Sequence, residues 1–288
     1  MINIILVVLV AFVMIYPLYF IIIASVSEPR DVLSGRVVFL PVGFTLEAYQ
    51  NVLRESRIWI GYRNTLLYTT LGTLLALFMT MPAAYVLSKK NLVGRGLLSW
   101  FFIIPMYFGG GLIPTYLQVK SLSLLDKPYT LAILGSLSIY NVIVTRVYFQ
   151  TAIPEEIFES AHIDGAGEIR TFLQIALPLA KPIIAVMALF YAVGRWNDFF
   201  TALIYVSKAD YQPLQLVLRG ILLLNQRAMD GINMIKDTEM IKDLSRLAYL
   251  AEAMKYSIIF IASAPLLVAY PFVQKHFIKG LMVGSLKG

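Results

Sequence analysis

Two stretches of this chain bring polar and charged side chains together at spacings that chemistry could use. The first is YAVGRWNDFFTALIYV, residues 191–206, where Arg195 and Asp198 stand one helical turn apart in apolar surroundings. Charges at such depth are costly, so they either pair or line a wet path. Two readings fit: an i, i+3 couple that neutralises itself, or the polar lining of a solute path. On a helix, Tyr191, Arg195 and Asp198 share one stripe, Gly194, Asn197 and Thr201 the next, with Trp196 beside them. Donors, acceptors and flat rings together suit a hydroxyl-rich solute better than an inorganic ion. Tyr140 and Asn141, earlier in the chain, could line the same path. The second stretch is ESAHIDGAGEIRTFLQIALP, residues 159–178, polar and partly acidic between two apolar segments.

Covalent chemistry finds little support. The chain has no cysteine and only two histidines, His162 and His276, neither deep in an apolar segment. A nucleophile–base dyad inside a membrane is therefore not available, and no catalytic or metal-binding residue is assigned. No G-x-x-x-x-G-K occurs, and Gly109–Gly111 lacks the Lys-Ser/Thr that would follow, so the chain does not cradle ATP phosphates itself. The net charge of +7 is spread along the chain and forms no nucleic-acid stripe.

The elements that must position these residues read as membrane spans. Of 288 residues, 59% are hydrophobic and 14% charged. A soluble domain carries about a quarter charged. The mean hydropathy is +0.74. Six apolar segments stand out: about Ile4–Ala24, Thr65–Leu87, Leu97–Leu117, Tyr129–Phe149, Pro182–Val206 and Tyr256–Val273. Each is roughly 18–25 residues, enough to cross ~30 Å of hydrocarbon as helix. The expected fold is an all-α integral membrane protein with six transmembrane helices, the first a retained helix rather than a cleaved leader. Residues 1–288 then form one transmembrane domain, with a cytoplasmic loop at 154–178 and external segments at 26–63 and 207–254. Basic residues in the short Ser88–Gly96 connection favour that side, and both termini, as cytoplasmic. Pro82, Pro105, Gly109–Gly111, Pro114, Pro265 and Pro271 interrupt spans. They mark either local kinks or a broken helix beside a path. Phe44–Arg57 reads as a short external helix, and Pro213–Asn225 as an amphipathic one at the external interface.

The 154–178 stretch reads as two short helices joined at a glycine. Pro154 suits a first turn, with Glu155 and Glu156 near the positive end of the dipole. Gly165 is a natural stop after Asp164. A second run, Glu168–Ala176, leads to Leu177-Pro178, and Pro182 opens the next span. Residues alone leave open a solvated connector or a docking helix whose Glu155, Glu156 and Glu159 meet a basic cleft.

Glu159-Ser160-Ala161, three residues, Gly165, nine residues and Ile175-Ala176-Leu177-Pro178 resemble the signature loop of ABC importer permeases. Ser160 stands where that family often has alanine. SEPRDVLSG, PVGFTLEAYQNVL, FGGGLIPTYLQVKSLSLLD, LFYAVGRWNDFF and FIKGLMVGSLKG extend the resemblance along the chain, to the second permease of carbohydrate importers. Permeases for plant or algal polysaccharide fragments, including alginate and aldouronate, are the nearest likeness. The resemblance implies a type I importer fold in the bacterial inner membrane. It implies as partners a second homologous permease, an ABC ATPase dimer that holds ATP and Mg, and an extracytoplasmic solute-binding protein. It implies that Glu159, Ser160, Ala161, Asp164 and Gly165 form a coupling helix on the ATPase, that Leu177 and Pro178 pass its movement on, and that the Gly280–Gly288 tail reaches toward the ATPases. A slight basic excess in the external segments permits an anionic oligosaccharide. The competing class is an ATP-independent carrier or channel using Arg195 and Asp198 as its coupling pair.

Overall fold

A chain crossing hydrocarbon must satisfy its backbone amides internally, which leaves helices or a closed barrel. This one uses helices. The computed structural model describes residues 2–232 and 254–268, and no strand occurs among them. Helices α1 (Ile2–Ser25) and α4 (Ser56–Ser88) are each long and apolar enough to cross a membrane. Their 24 and 33 residues span about 36 Å and about 50 Å. Pro17 and Pro82 sit inside these helices without ending them. Ile4, Leu6, Val8, Phe12 and Ile15 of α1 are all exposed, as a surface meeting lipid or another apolar helix requires. Helices α2 (Pro29–Leu33) and α3 (Glu47–Arg54) lie between them, α3 being the short helix expected within Phe44–Arg57.

The third, fourth and fifth apolar segments are interrupted among the described residues. The third is broken: α5 (Arg95–Tyr107) and α6 (Leu112–Ser121) meet at 113° across the glycine triplet. Pro105 stays inside α5, so the glycines and not the proline set the break. The fourth divides into α7 (Thr130–Ile133) and α8 (Ile139–Thr151). Ser138 starts α8 by accepting the Asn141 amide on its hydroxyl at 3.4 Å, an N-cap within the segment.

Around the fifth segment, α9 (Glu155–Ile163) and α10 (Glu168–Thr171) come first. The expected second run, Glu168–Ala176, widens into a π-helical stretch, Phe172–Ala176, before α11 (Leu177–Leu179). A 79° bend then leads into α12 (Lys181–Trp196). That helix ends at Asn197, and α13 (Phe200–Tyr205) follows. The Asp198 carboxylate accepts the Thr201 amide at 3.0 Å, so the residue expected inside a span starts a new helix instead. Two continuous helices, or four if each bent pair counts as one span, pass the length and hydropathy test among the described residues. Helix α14 (Leu214–Ile232) buries Leu214, Val217, Leu218 and Ile221. The final described helix, α15, is Met254–Val268. The rest of the expected sixth span, most of the Asn225–Lys255 segment and the Gly280–Gly288 tail lie outside the described residues.

The described chain forms two compact units. One takes in the residues up to Arg63 and those from Gln212 to Leu267. Its core gathers Ile23, Ala24, Val32 and Val37, with Phe20 and Tyr256 packed on them. The other runs from Asn64 to Tyr211. Its core includes Tyr85, Val142, Phe149, Ala176, Ala180 and Met187. Both candidate sites belong to this second unit.

Candidate functional site

The polar loop is a built element with its own core contacts. Pro154 precedes α9 with Glu155 and Glu156 in the first turn. At the other end the Gly165 amide donates to the His162 carbonyl at 3.0 Å and the Ala166 amide to the Ala161 carbonyl at 2.9 Å. This is the paired Schellman closure, and it needs a left-handed residue after the cap. Gly165 supplies it with φ +75°. Ala161 is buried, and Ile157 and Phe158 pack against the core cluster around Tyr85 and Phe149. The inner face therefore fixes the helix, while Glu159, Ser160, Asp164 and Gly165 remain exposed.

Ile163 of α9 and Ile169 of α10 are also exposed, 86% and 77%. Sequence reasoning singled out neither. Large apolar side chains on a polar loop lose water only if something covers them, and the exposed residues of the loop are acidic and apolar together. The signal was available, because Ile163 lies two residues before the glycine stop.

Sequence reasoning also missed what holds the loop to the rest of the unit. Glu168 Oε2 accepts from the Tyr85 hydroxyl at 3.1 Å and pairs with Lys89 Nζ at 3.4 Å. Its Oε1 lies 3.0 Å from His162 Nε2, and His162 Nδ1 faces the Phe158 carbonyl at 2.7 Å. Burial alone would raise the Glu168 carboxyl, but Lys89, Tyr85 and His162 outweigh it and hold it below the ordinary carboxylate value. Lys89 also sits over the Tyr85 and Phe158 rings, 4.6 and 4.5 Å from their centroids. Lys90 pairs with Glu155 at 2.5 Å. The loop's two short helices are thus tied to the end of α4 from both sides. Leu177 and Pro178 lie in α11, between the π-helical stretch and the bend into α12.

The charged stretch of α12 does not hold the self-neutralising couple that was one of the two sequence readings. Arg195 and Asp198 form no direct ion pair among the described contacts. Arg195 Nη1 donates to the Leu131 carbonyl at 2.6 Å and the Leu134 carbonyl at 3.4 Å. Asp198 turns to the Thr201 amide. The cause is local: the helix ends between them, and α7 offers carbonyls with no helical partner. Tyr191 is buried and its hydroxyl meets Thr80 Oγ1 at 2.7 Å. Asn141 and Trp196 are buried, whereas Tyr140 and Asn197 are exposed. Asn197 Nδ2 donates to the Val193 carbonyl at 3.0 Å. The candidate path residues therefore include a protein-committed pair, Tyr191 and Arg195, and an exposed pair, Tyr140 of α8 and Asn197. No group of three or more metal-ligating side chains occurs among the described residues.

The described residues thus form a helical chain with interrupted apolar segments and a partly apolar surface loop. The model of the family described as binding-protein-dependent transport system inner membrane component matches residues 58–283, and the chain belongs to that family. It is a multi-pass inner-membrane permease of the ABC importer type and not an enzyme. It is 41% identical over 275 residues to Protein LplC of Bacillus subtilis (strain 168), covering 95% of this chain and 90% of that one. It is 35% identical over 282 residues to the polygalacturonan/rhamnogalacturonan transport system permease protein YtcP of the same organism, covering 96% and 94%. Among solved structures it is similar to a chain of a bacterial ABC transporter involved in the import of the acidic polysaccharide alginate. The TM-score there is 0.83 at 32% identity, over 96% of this chain and 95% of that chain. The family and this likeness carry the type I importer permease fold.

Proposed function

We propose that this chain is one of two permeases of an ATP-driven importer that carries oligosaccharides, uronic-acid oligomers among them, across the bacterial cytoplasmic membrane by alternating access. The permease would work with a second homologous permease, an ABC ATPase dimer binding ATP and Mg, and an extracytoplasmic solute-binding protein. The observation that carries this reading is the α9 loop. Its inner face is fixed to the core, and Glu159, Ile163 and Ile169 are exposed to a partner. Similarity to a polygalacturonan/rhamnogalacturonan transport system permease and to a chain of an alginate importer supports an acidic substrate.

In this proposal the chain crosses six times, with both termini and the α9 loop cytoplasmic. Closure of the ATPases displaces Glu159–Gly165. The movement passes through Leu177-Pro178 and the 79° bend into α12, and the path opens to the other side. Tyr140, Asn141, Trp196, Asn197 and Asp198 lie on or beside that path, with the exposed Tyr140 and Asn197 best placed to touch sugar. Tyr191 and Arg195, assigned to the path by their stripe, support it through protein contacts.

Proteoliposomes holding both permeases and the ATPase, with binding protein inside or outside, test this directly. Trigalacturonate, trimannuronate and neutral xylotriose serve as probes. The proposal expects ATP-dependent uptake of a uronate trimer that stops when the ATPase is omitted. Uptake driven by an ion gradient without the ATPase would replace it with the secondary-carrier reading.

A further inference from the structure

Tyr191 and Arg195 are four residues apart on α12 and so share a face. Between them they hold both ends of the α7–α8 break. Arg195 Nη1 takes the carbonyls of Leu131 and Leu134, at the end of α7. The Tyr191 hydroxyl accepts the amide of Ser138, the residue that starts α8, at 3.3 Å. A helix end leaves carbonyls on one side and amides on the other without helical partners. Here one donor side chain and one acceptor side chain answer each set.

The opposite wall is α4. A Cβ at Gly72 would lie 2.4 Å from Arg195 Cζ and 2.6 Å from its Nη1. The guanidinium therefore lies against the bare backbone of this glycine, a position no larger residue permits. Two turns further along, Thr80 Oγ1 meets the Tyr191 hydroxyl at 2.7 Å. Arg195 Nε and Nη2 are buried without a protein partner, so no carboxylate orients this side chain. The α7 carbonyls and the Gly72 seat do.

Extending the coupling reading of the α9 loop, we propose that Tyr191 and Arg195 are positioning residues that fasten both ends of the 134–138 break to α12. The break then rides with α12 when the loop moves. Nη1 and the Tyr191 hydroxyl are engaged by the protein itself, at the backbone of Leu131, Leu134 and Ser138 and at Thr80. The α12 helix follows the loop directly through the 79° bend, so the fastening extends the motor's movement into a second broken segment.

Hydrogen exchange of the complete assembly in nanodiscs tests this without knowledge of the sugar. Peptides covering 131–141 and 155–168 are compared without nucleotide and after trapping with ATP and vanadate. In the wild type both should respond. In Arg195→Gln and Tyr191→Phe the 155–168 response should persist while the 131–141 response falls at least fivefold. Gly72→Ala should reproduce the loss by displacing the guanidinium, and Gly72→Ala with Arg195→Ala should be no worse than Arg195→Ala alone. If Arg195→Gln fails to assemble, Tyr191→Phe, which removes a single hydroxyl, carries the test. An undiminished 131–141 response in the variants, or a wild type responding only at 155–168, overturns the proposal. So does a Gly72→Ala protein that behaves as wild type. A wild-type 155–168 peptide indifferent to nucleotide overturns the coupling reading beneath it.

Discussion

Replacing Gly165 separates backbone strain from steric conflict with unusual clarity. Its φ is +75°, and a Cβ there would meet nothing within 4 Å. Any cost of alanine is therefore the left-handed backbone alone, about 1–2 kcal/mol. At about 1.4 kcal/mol per factor of ten, the closed turn should open roughly 5–30-fold more often. The amides that report this are those of residues 165 and 166, which close the turn on His162 and Ala161. Gly165→Ala should speed their exchange by that factor. Gly165→Asn should lose less, because asparagine tolerates the left-handed region, and Gly165→Val should lose more. Substrate-stimulated ATP hydrolysis in the reconstituted assembly should fall in the same order, Asn, Ala, Val. Exchange that is unchanged in all three, or equal in all three, would refute the reasoning, since only a φ-dependent cost ranks them.

Glu168→Gln removes the negative charge on which Tyr85, Lys89 and His162 converge and replaces one of its two acceptor oxygens with a donor. With 59% of that side chain exposed, the loss should stay under about 1 kcal/mol, seen as a few-fold rise in exchange across 155–168 with the assembly intact. The carboxyl of Glu168 is held below its ordinary value, so its support is fully present above that value and is lost as pH falls through the folded one. The Glu168 contribution, read as loop exchange corrected for intrinsic rate, should be constant above the ordinary glutamate range and be lost, with faster exchange, as the pH falls below that range. Ile163→Asp should leave the melting temperature of the permease pair unchanged and weaken ATPase binding at least tenfold, measured by surface-immobilised nanodiscs. Asn197→Ala should raise the KM for uronate uptake several-fold with ATP hydrolysis still coupled; an unchanged KM would remove Asn197 from the path.

Legibility in the sequence follows the range of the interactions. Helix α1 and the membrane part of α4 were visible because each is a continuous apolar run. The α9 helix and its stop were visible because proline, acidic first turn and glycine are local signals. The glycine triplet was visible as a site of either a kink or a break, and the structure has a 113° break there. The break after α7 was missed, since lone Gly135 among Leu134, Ser136, Leu137 and Ser138 is a weak cue, and what stabilises the break comes from Arg195 and Tyr191, 61 and 53 residues away. Pairing Arg195 with Asp198 failed because i, i+3 spacing assumes an unbroken helix, and the helix ends between them. The node at Glu168 was hidden likewise, its Tyr85 partner lying 83 residues upstream. The π-helical turn at 172–176 has no signal in composition that these residues display.

The central claim is that the outer face of α9 docks on the ATPase. With no native cysteine, a single photoreactive or cysteine-linked probe at Ser160 reports its neighbours without background. In the complete assembly, irradiation should join this chain to the ATPase subunit, with a yield that changes when ATP and vanadate are added. Adducts confined to lipid or to the solute-binding protein, in an assembly whose uptake still requires the ATPase, would contradict the account.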